Sequence, residues 1–288
     1  MKSVTIKDIA KVANVSYATV SRALSGSAEI GEETRERVLK ICREMGYTTN
    51  YVARSMVMKQ TKLLGLIVAN IDNPFMSEMA YHIEMRAREQ GYNLMLCNSS
   101  HDIALERNVF ELLLGRQVDG IILVPANADS YTNLKPLISK VPTVFVSENL
   151  RDLPESYVSV DNYRGTHIGT EYLYSLGHRH ILYFGQRKGS VTHQLRAEGY
   201  VDACRELGIE PNLLGSIYPL SSVQAGSQMA KQIFTSPFPY TAIFAATDSL
   251  ALGVFAAAEE AGIRIPEDVS LMGFDNILYT DLPRIRLT

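Results

Sequence analysis

The chain has 288 residues, of which 46% are hydrophobic and 20% charged; this composition excludes a disordered or fibrous protein and, at this length, predicts about two domains. No segment approaches the roughly 20 apolar residues of a membrane span, and the N-terminus becomes charged too early for a secretory signal peptide, so we expect a cytoplasmic protein without membrane contact. Residues 1–62 carry 11 Lys/Arg against 6 Asp/Glu, a net charge of +5, whereas the remaining 17 and 25 give −8, and the basic part is therefore expected to meet a polyanion.

The first residues predict a short helix followed by a turn. Thr5 and Asp8 have the spacing of a capping box. The helix that they begin has one apolar face, made of Ile6, Ile9, Ala10 and Ala13. Asn14-Val15-Ser16 then predicts a turn, because Asn and Ser bond readily to their own backbone.

Two further helices are predicted before Gly46. Ser16 is placed to cap a helix over residues 17–24, whose inner face holds either Ala18 or Val20 together with Ala23 and Leu24. Ser25-Gly26-Ser27 ends this helix. A third helix is expected over about residues 32–45, with an apolar stripe made of Val38, Leu39, Ile41, Cys42 and Met45.

Two short helices joined by a tight turn and braced by a third are typical of a helix-turn-helix unit, in which the second helix enters the major groove. Its outward residues are Tyr17, Ala18, Ser21 and Arg22. Arg22 has the planar fork that matches guanine O6 and N7. The hydroxyls expected to bond phosphates or base edges belong to Thr5, Ser16, Tyr17, Thr19 and Ser21. From spacing alone, a plain three-helix bundle with a hydroxyl-rich surface is the alternative.

The N-terminal segments IKDIAKVANVSYATVSRALSG, ETRERV, MGY and VARSM resemble the head of the LacI/GalR family of bacterial repressors, and the pattern continues to the end of the chain. The resemblance implies a homodimer on double-stranded operator DNA, with Tyr17, Ala18 and Arg22 as the main base readers. It also implies that residues 50–56 form a hinge that becomes helical on DNA, where Met56 wedges into a base step in the minor groove; the alternative for Met56 is an ordinary helix-face hydrophobe.

The hinge departs from the family pattern in two places. Met56 stands where the family usually has Leu, and its apolar, flexible side chain keeps the wedge role with a softer kink. Thr48-Thr49 stand where the family often has Pro, which leaves the entry to the hinge less rigid. The hinge residues expected to contact DNA are Asn50, Ala53, Arg54 and Met56.

After Lys62 the pattern becomes α/β. Apolar runs without alternation, separated by amphipathic helices, predict parallel sheets covered on both faces. In the first half, strands are expected at 63–69, 92–97, 118–124 and 142–146, and helices at 77–90, 102–116 and 131–139. In the second half, strands are expected at 158–161, 180–184, near 216–218, 242–246 and 269–273, and helices at 163–176, 195–207, 222–235 and 249–261.

Two similar Rossmann-like halves indicate a hinged, two-lobed binding fold that resembles the periplasmic sugar-binding proteins. The predicted fold class is therefore α/β, with an all-α helix-turn-helix head joined to a two-lobed, periplasmic-binding-protein-like sensor. We expect the boundaries to be 1–49 for the head, 50–60 for the hinge, 61–161 for lobe 1 and 162–288 for lobe 2.

Ligands of open parallel sheets bind beyond the carboxyl ends of the strands. There we expect a small-molecule effector: an aromatic ring with carboxylates suits a polyol, because the ring stacks on C–H faces and the carboxylates accept hydroxyl hydrogen bonds. The family resemblance implies that this effector is a sugar or a nucleoside. Phe75, Asp248 and Asp275 are the foremost candidates, since Asn-Pro-Phe, Thr-Asp and Gly-Phe-Asp-Asn match positions that line the family's effector cleft. The full set of effector candidates is Asp72, Phe75, Met76, Ser147, Ser190, Arg196, Asp248 and Asp275.

Structural alternatives stand beside these roles. Asp248 and Asp275 could cap helices, because Asp at a strand end is a common N-cap, and Phe75 could simply pack within lobe 1. Ser190 stands where many relatives carry a ligand-binding Arg, whereas Arg196 matches the family. The effector is therefore left open within the two classes.

No cofactor or metal is expected. Cys42, Cys97 and Cys204 are far apart and form no metal-binding or disulfide pattern, so they are interpreted as small hydrophobes in a reducing compartment. Phosphate-binding glycine loops are absent, and no catalytic constellation is present, which argues against an enzyme. A sugar-binding receptor without DNA binding is the main alternative; the missing signal peptide and the basic head argue against it.

The end of the chain carries one more expectation. The family pattern normally continues past Leu282-Pro283-Arg284-Ile285-Arg286-Leu287-Thr288 and returns to lobe 1. Without that return, an exposed sheet edge and a partly open core would favour instability or aggregation.

Overall fold

The structure is a computed structural model that describes residues 4–25, 27–47, 60–146, 156–186, 190–215, 222–234, 238–285 and 287–288. The chain divides into two units, one ending at Thr61 and the other beginning at Lys62. None of the helices within the described residues is long and apolar enough to cross a membrane.

The first unit contains three short helices, α1 (Ile6–Val12), α2 (Tyr17–Ser25) and α3 (Glu32–Glu44). Thr5 begins α1 through the expected capping box with Asp8. The apolar faces of the three helices meet in one small core made of Ile9, Ala10, Ala13, Val20, Ala23, Val38 and Cys42. Gly46 adopts φ +64° just after α3, a conformation that ends helices and that glycine adopts without strain. Leu39 was wrongly placed on the buried stripe, because it lies on the exposed side of α3.

Lobe 1 is built on a parallel sheet with the strand order β2-β1-β3-β4-β5. The strands are β1 (Leu63–Val68), β2 (Asn93–Asn98), β3 (Gly120–Leu123), β4 (Thr143–Val146) and β5 (Ser156–Val158). The helices are α4 (Pro74–Glu89), α5 (Ile103–Gly115) and α6 (Ser130–Ile138). One face of the sheet packs against α5 and α6 through a core that includes Phe110, Leu113 and Phe145. The other face meets α4 through Leu66, Val68 and Ala80.

Lobe 2 repeats this design with the strand order β7-β6-β8-β9. The strands are β6 (Ile181–Gln186), β7 (Asn212–Gly215), β8 (Ala242–Ala245) and β9 (Ser270–Met272). The helices are α7 (Asn162–Ser175), α8 (Val191–Glu206), α9 (Val223–Phe234), α10 (Asp248–Ala261) and a short 3-10 turn, Leu278–Asp281. Tyr183 and Tyr200 stack in its core with ring centroids 5.2 Å apart, and the Tyr200 hydroxyl donates to the Ile181 carbonyl at 2.8 Å.

Most predicted elements are confirmed, and the differences have local causes. α4 starts at Pro74 rather than 77, because the Asn73 side chain caps it and Pro is tolerated in the first turn. α8 starts at Val191 rather than 195, because Ser190 caps it. A strand is described over Asn212–Gly215, whereas the strand expected near 216–218 lies outside the described residues, so that placement stays a prediction.

The three cysteines are free thiols. Cys42 and Cys204 are buried, as predicted, and Cys97 is half-buried. Burial raises the pKa of all three thiols, which favours the protonated form of each.

Candidate DNA-reading helix and ligand cleft

The second helix presents one polar face to solvent. Tyr17, Ala18 and Arg22 are exposed and Ser21 is half-buried, whereas Val20 is fully buried. The alternative that the sequence left open is thereby resolved, because Val20 occupies the inner face and Ala18 the outer one. Four side chains expected to face a base edge therefore share one side of a single helix.

Ser16 fixes the start of that helix. Its hydroxyl oxygen accepts the Thr19 backbone N–H at 3.1 Å and lies 2.8 Å from Thr19 Oγ1. The predicted cap is therefore confirmed. The remaining N–H groups of the first turn give this end a partial positive charge, which favours a phosphate oxygen.

Arg22 forms an ion pair on the head surface. Its Nε lies 3.1 Å from Glu29 Oε2, and the two side chains are 52% and 73% exposed. A pair this exposed contributes about 0–1 kcal/mol, whereas a bidentate Arg–guanine contact discriminates by about 1–3 kcal/mol. The ion pair therefore does not prevent Arg22 from turning to a base.

Several predicted site residues lie outside the described residues. In the hinge these are Asn50, Ala53, Arg54 and Met56, and in lobe 1 the same holds for Ser147. Their roles stay predictions.

In lobe 1, the candidates cluster where β1 turns into α4. Asn73 Oδ1 accepts the Phe75 backbone N–H at 2.9 Å, which fixes the turn. Asp72 is exposed and Phe75 is half-buried. Met76 packs against the core between α4 and the sheet, so its burial has a structural cause of its own.

In lobe 2, Arg196 is the centre of a buried polar network. Its Nε donates to Asn162 Oδ1 at 2.9 Å, and one terminal nitrogen donates to the Ala246 carbonyl oxygen and lies 3.3 Å from Asp275 Oδ1. The guanidinium carbon lies 3.6 Å from the centroid of the Phe274 ring. Both charged side chains are only 7% exposed, so the pair sits in a low-dielectric setting where electrostatic contacts are strong.

The ionisation of Asp275 reflects two opposing effects. Burial raises the pKa of this carboxyl, and the neighbouring Arg196 guanidinium lowers it. Asp275 Oδ2 also accepts the Asp248 backbone N–H at 3.1 Å. Asp275 thus meets the first residue of α10 from outside that helix, rather than capping a helix of its own.

Asp248 and Ser190 have structural contacts. Thr247 is the N-cap of α10 and accepts the Leu250 N–H, so the N-cap alternative for Asp248 is wrong. The Asp248 carboxylate instead accepts the backbone N–H groups of Phe274, Asp275 and Ile277. The Ser190 hydroxyl accepts the His193 N–H at the start of α8.

A cavity of about 500 Å³ is lined by residues of both lobes. Its lining residues are Phe75, Glu78, Met79, His82, Ile83, Arg86, Asp275 and Asn276. Phe75 from lobe 1 and Asp275 from lobe 2 therefore border the same space, although 200 residues separate them. A volume in this range holds a small organic ligand.

Sequence reasoning missed two members of the Arg196 network. Neither Asn162 nor Phe274 is among the effector residues predicted from the sequence. The signal for Phe274 lay inside the Gly-Phe-Asp-Asn motif, but only the folded chain shows that its ring stacks on Arg196. The Ala246 carbonyl has no side-chain signal at all.

Comparison with known proteins identifies the family to which this architecture belongs. Residues 5–50 match the family model described as bacterial regulatory proteins, lacI family. Residues 61–282 match the model of periplasmic binding proteins and the sugar binding domain of the LacI family.

The chain belongs to the LacI family. It is 33% identical to the HTH-type transcriptional regulator DegA of Bacillus subtilis over 99% of this chain and 85% of DegA. It is 32% identical to the ribose operon repressor of Haemophilus influenzae over 95% of this chain and 82% of that repressor.

The fold agrees with that of a solved LacI-family structure. The lac repressor dimer bound to operator and the anti-inducer ONPF superposes with a TM-score of 0.85 at 27% identity, over 98% of this chain and 85% of that chain. As a LacI-family protein, this chain is a sequence-specific DNA-binding transcriptional regulator and not an enzyme. The LacI-type head and two-lobed sensor expected from the sequence are confirmed.

Proposed function

We propose that the exposed face of α2 reads operator DNA in the major groove, with Arg22 recognising a guanine and Tyr17 and Ala18 contacting adjacent base edges. The observation that carries this proposal is the geometry of α2. Its capped N-terminus and its outward Tyr17, Ala18 and Arg22 stand on a head with a net charge of +5 over residues 1–62. The hydroxyls of Thr5, Ser16, Thr19 and Ser21 provide phosphate contacts that fix the register.

The hinge completes the DNA-binding surface. The family pattern implies that Met56 enters the minor groove, as apolar wedges do when they unstack a base step and bend the duplex. Asn50, Ala53 and Arg54 accompany it. This assignment rests on the match of VARSM to the family pattern.

The proposed dimer is inferred from a relative whose structure was solved with DNA. The lac repressor was solved as a dimer bound to operator, and two copies of this chain accordingly bind the two halves of a near-palindromic site. The protein works in the cytoplasm, where its DNA is found.

The effector is a sugar or a nucleoside bound between the lobes. Phe75 stacks on its apolar face and Asp275 accepts a hydroxyl hydrogen bond, while Arg196 lies behind the cavity lining and holds Asp275 in place. The shared cavity of about 500 Å³ and the sugar-binding description of the family model support this class. Asp72, Met76, Ser147 and Ser190 are secondary candidates.

Effector binding changes DNA affinity by linkage. A ligand that binds one relative arrangement of the lobes better than another shifts the population towards it, and the hinges follow. Whether the effector weakens or tightens DNA binding is decided by measuring DNA affinity with and without the effector.

A gel-shift series tests the DNA-binding proposal. Duplexes selected from a random library by the full chain are titrated with wild type, Arg22→Ala, Met56→Ala and the control Arg116→Ala, which changes an Arg of lobe 1. Arg22→Ala weakens binding and relaxes selectivity at one base pair, and Met56→Ala weakens binding and reduces the bend. Wild-type affinity in Arg22→Ala would overturn the assigned base reader.

A further inference from the structure

The buried carboxylate of Asp248 has an unusual set of partners. It lies at the first position of α10 and is 1% exposed. Since Thr247 already caps that helix, the carboxylate is not needed there. Its oxygens are directed instead at a different segment, residues 274–277, which follows β9.

Three backbone amides of that segment donate to Asp248. Phe274 N–H and Asp275 N–H donate to Oδ1 at 2.7 and 2.9 Å, and Ile277 N–H donates to Oδ2 at 2.9 Å. In return, the Asp248 backbone N–H donates to Asp275 Oδ2 at 3.1 Å. The two segments are therefore joined by four hydrogen bonds, each accepted by a carboxylate oxygen, three of Asp248 and one of Asp275; such bonds are of the stronger charge-assisted kind when the carboxylate is ionised.

The backbone of the segment comes close to the carboxylate. Asn276 adopts φ +56°, a left-handed conformation that asparagine tolerates better than most residues other than glycine. Gly273 lies so close that a Cβ at this position would overlap Asp248 Oδ1. The carboxylate thus approaches the backbone at a point where only glycine leaves room.

The segment carries the two groups that surround Arg196. The Phe274 ring stacks on the guanidinium at 3.6 Å, and Asp275 Oδ1 lies 3.3 Å from its terminal nitrogen. Whatever holds residues 274–277 therefore also sets the geometry of the Arg196–Asp275 pair.

We infer that Asp248 is a positioning residue for the effector site: it clamps residues 274–277 so that Phe274 and Asp275 meet Arg196, and it does not itself contact the effector. This inference rests on the proposed effector site and corrects the direct ligand role that the sequence favoured for Asp248. Three N–H donors engage its two oxygens, which leaves little acceptor capacity for a ligand hydroxyl.

Asparagine cannot replace this aspartate in the clamp. The amide offers one acceptor oxygen and one NH₂ donor, so at least one of the three backbone N–H groups faces a donor. Asp248→Asn is therefore nearly isosteric and removes the clamp without opening a cavity. Asp268→Asn is the matched control, because Asp268 lies in the same lobe and accepts from Arg264 on the surface.

The test measures the full chain in two ways. Hydrogen exchange reports on the amides of residues 274–277 without ligand. Thermal-shift titrations use D-ribose, D-glucose, cellobiose and adenosine. For each probe that stabilises the wild type, they give the concentration at which the stabilisation is half-maximal.

Asp248→Asn is expected to speed exchange of the 274–277 amides at least tenfold and to raise the half-maximal concentration by a similar factor for every active probe. Asp268→Asn leaves both unchanged. Asp275→Asn, which alters the proposed contact itself, weakens the probes unequally according to their hydroxyls. A uniform loss distinguishes positioning from direct contact.

Two outcomes overturn the inference: unchanged amide exchange in Asp248→Asn, or probe binding like that of wild type. If no probe stabilises wild type, the proposed effector class fails, while the exchange measurement still decides the clamp. Should Asp248→Asn not fold, Gly273→Ala tests the same contact from the other side, since its added Cβ displaces the carboxylate, and the same changes are expected.

Discussion

At the residue scale, Arg22 has a partner in the head that competes with DNA. The Glu29 carboxylate lies 3.1 Å from its Nε and places a negative charge on the surface expected to approach phosphates. Because the pair is exposed, it stabilises the head by at most about 1 kcal/mol. Removing this ion pair should therefore change the affinity for DNA and leave the stability of the head nearly unchanged.

Glu29→Gln is expected to tighten operator binding by about two- to tenfold, since it frees the guanidinium and removes phosphate repulsion, effects of roughly 1 kcal/mol. Fluorescence anisotropy at low and physiological salt measures the change, which should shrink as salt screens the charge. Glu44→Gln, an exposed carboxylate at the end of α3, is the control. Weaker binding by Glu29→Gln would show that Glu29 orients Arg22 instead of competing for it.

A second prediction concerns the fully buried carboxylate of Glu106 in lobe 1. Its Oε1 accepts the Ala126 N–H at 2.6 Å and the Ser130 hydroxyl at 3.0 Å, whereas Oε2 has no hydrogen-bond partner among the described residues. Burial raises the pKa of Glu106 above its ordinary value of 4.5. The folded state therefore holds this proton more tightly than the unfolded state, so the contribution of Glu106 to stability is present below pH 4.5 and is lost as pH rises through the raised pKa.

Glu106→Gln should accordingly become more favourable as pH increases. The melting-temperature difference, variant minus wild type, is expected to grow from pH 5 to pH 8, because the amide is neutral throughout. Glu111→Gln, on the exposed side of the same helix, should show little pH dependence. A difference that stays constant or shrinks over this range would contradict the assignment.

At the element scale, close helix packing in lobe 2 depends on small residues. A Cβ added at Gly199 of α8 would overlap the Tyr163 carbonyl oxygen of α7, and backbone atoms cannot rotate away as side chains do. Overpacking of this kind costs about 1–3 kcal/mol.

Gly199→Ala is expected to lower the melting temperature by about 2–12 °C, since about 1 kcal/mol corresponds to roughly 2–4 °C at this size. Gly115→Ala is the matched control. It lies in helix α5 with open space around it and should be neutral or slightly stabilising, because alanine favours helix. Calorimetry of the two variants should separate them, and equal melting temperatures would refute the packing argument.

The helices and the Arg196 network show which features of the fold and of the candidate site the sequence alone could predict. Helix positions followed from apolar spacing and from caps such as Thr5–Asp8 and Ser16, which act locally and are readable in order. The Arg196 network could not be read, because Asn162, Ala246 and Asp275 come together only through the packing of α7, β8 and the segment after β9. Asp248 was recognised as important, but its partners are backbone amides, which leave no trace in residue type.

At the scale of the whole molecule, β5 is one of the two edge strands of the lobe 1 sheet among the described residues. β5 pairs with β4 alone, and its Val158 side chain is 62% exposed. An exposed apolar edge strand is a template for intermolecular pairing.

Val158→Lys should slow aggregation of the purified chain on warming, because a charged edge resists strand addition, while the melting temperature changes little. Light scattering follows aggregation, and Val160→Lys, just beyond the strand and also exposed, tests whether charge alone suffices. Equal benefit from both variants would point to net charge and not to the edge.

The central claim is that the polar face of α2 discriminates between base sequences. Its most direct test is the ratio of dissociation constants for a selected operator and a scrambled duplex, measured with the full chain at physiological salt. The account predicts a ratio of about 10³ or more, the range of specific DNA-binding proteins. Equal affinity for the two duplexes would contradict it.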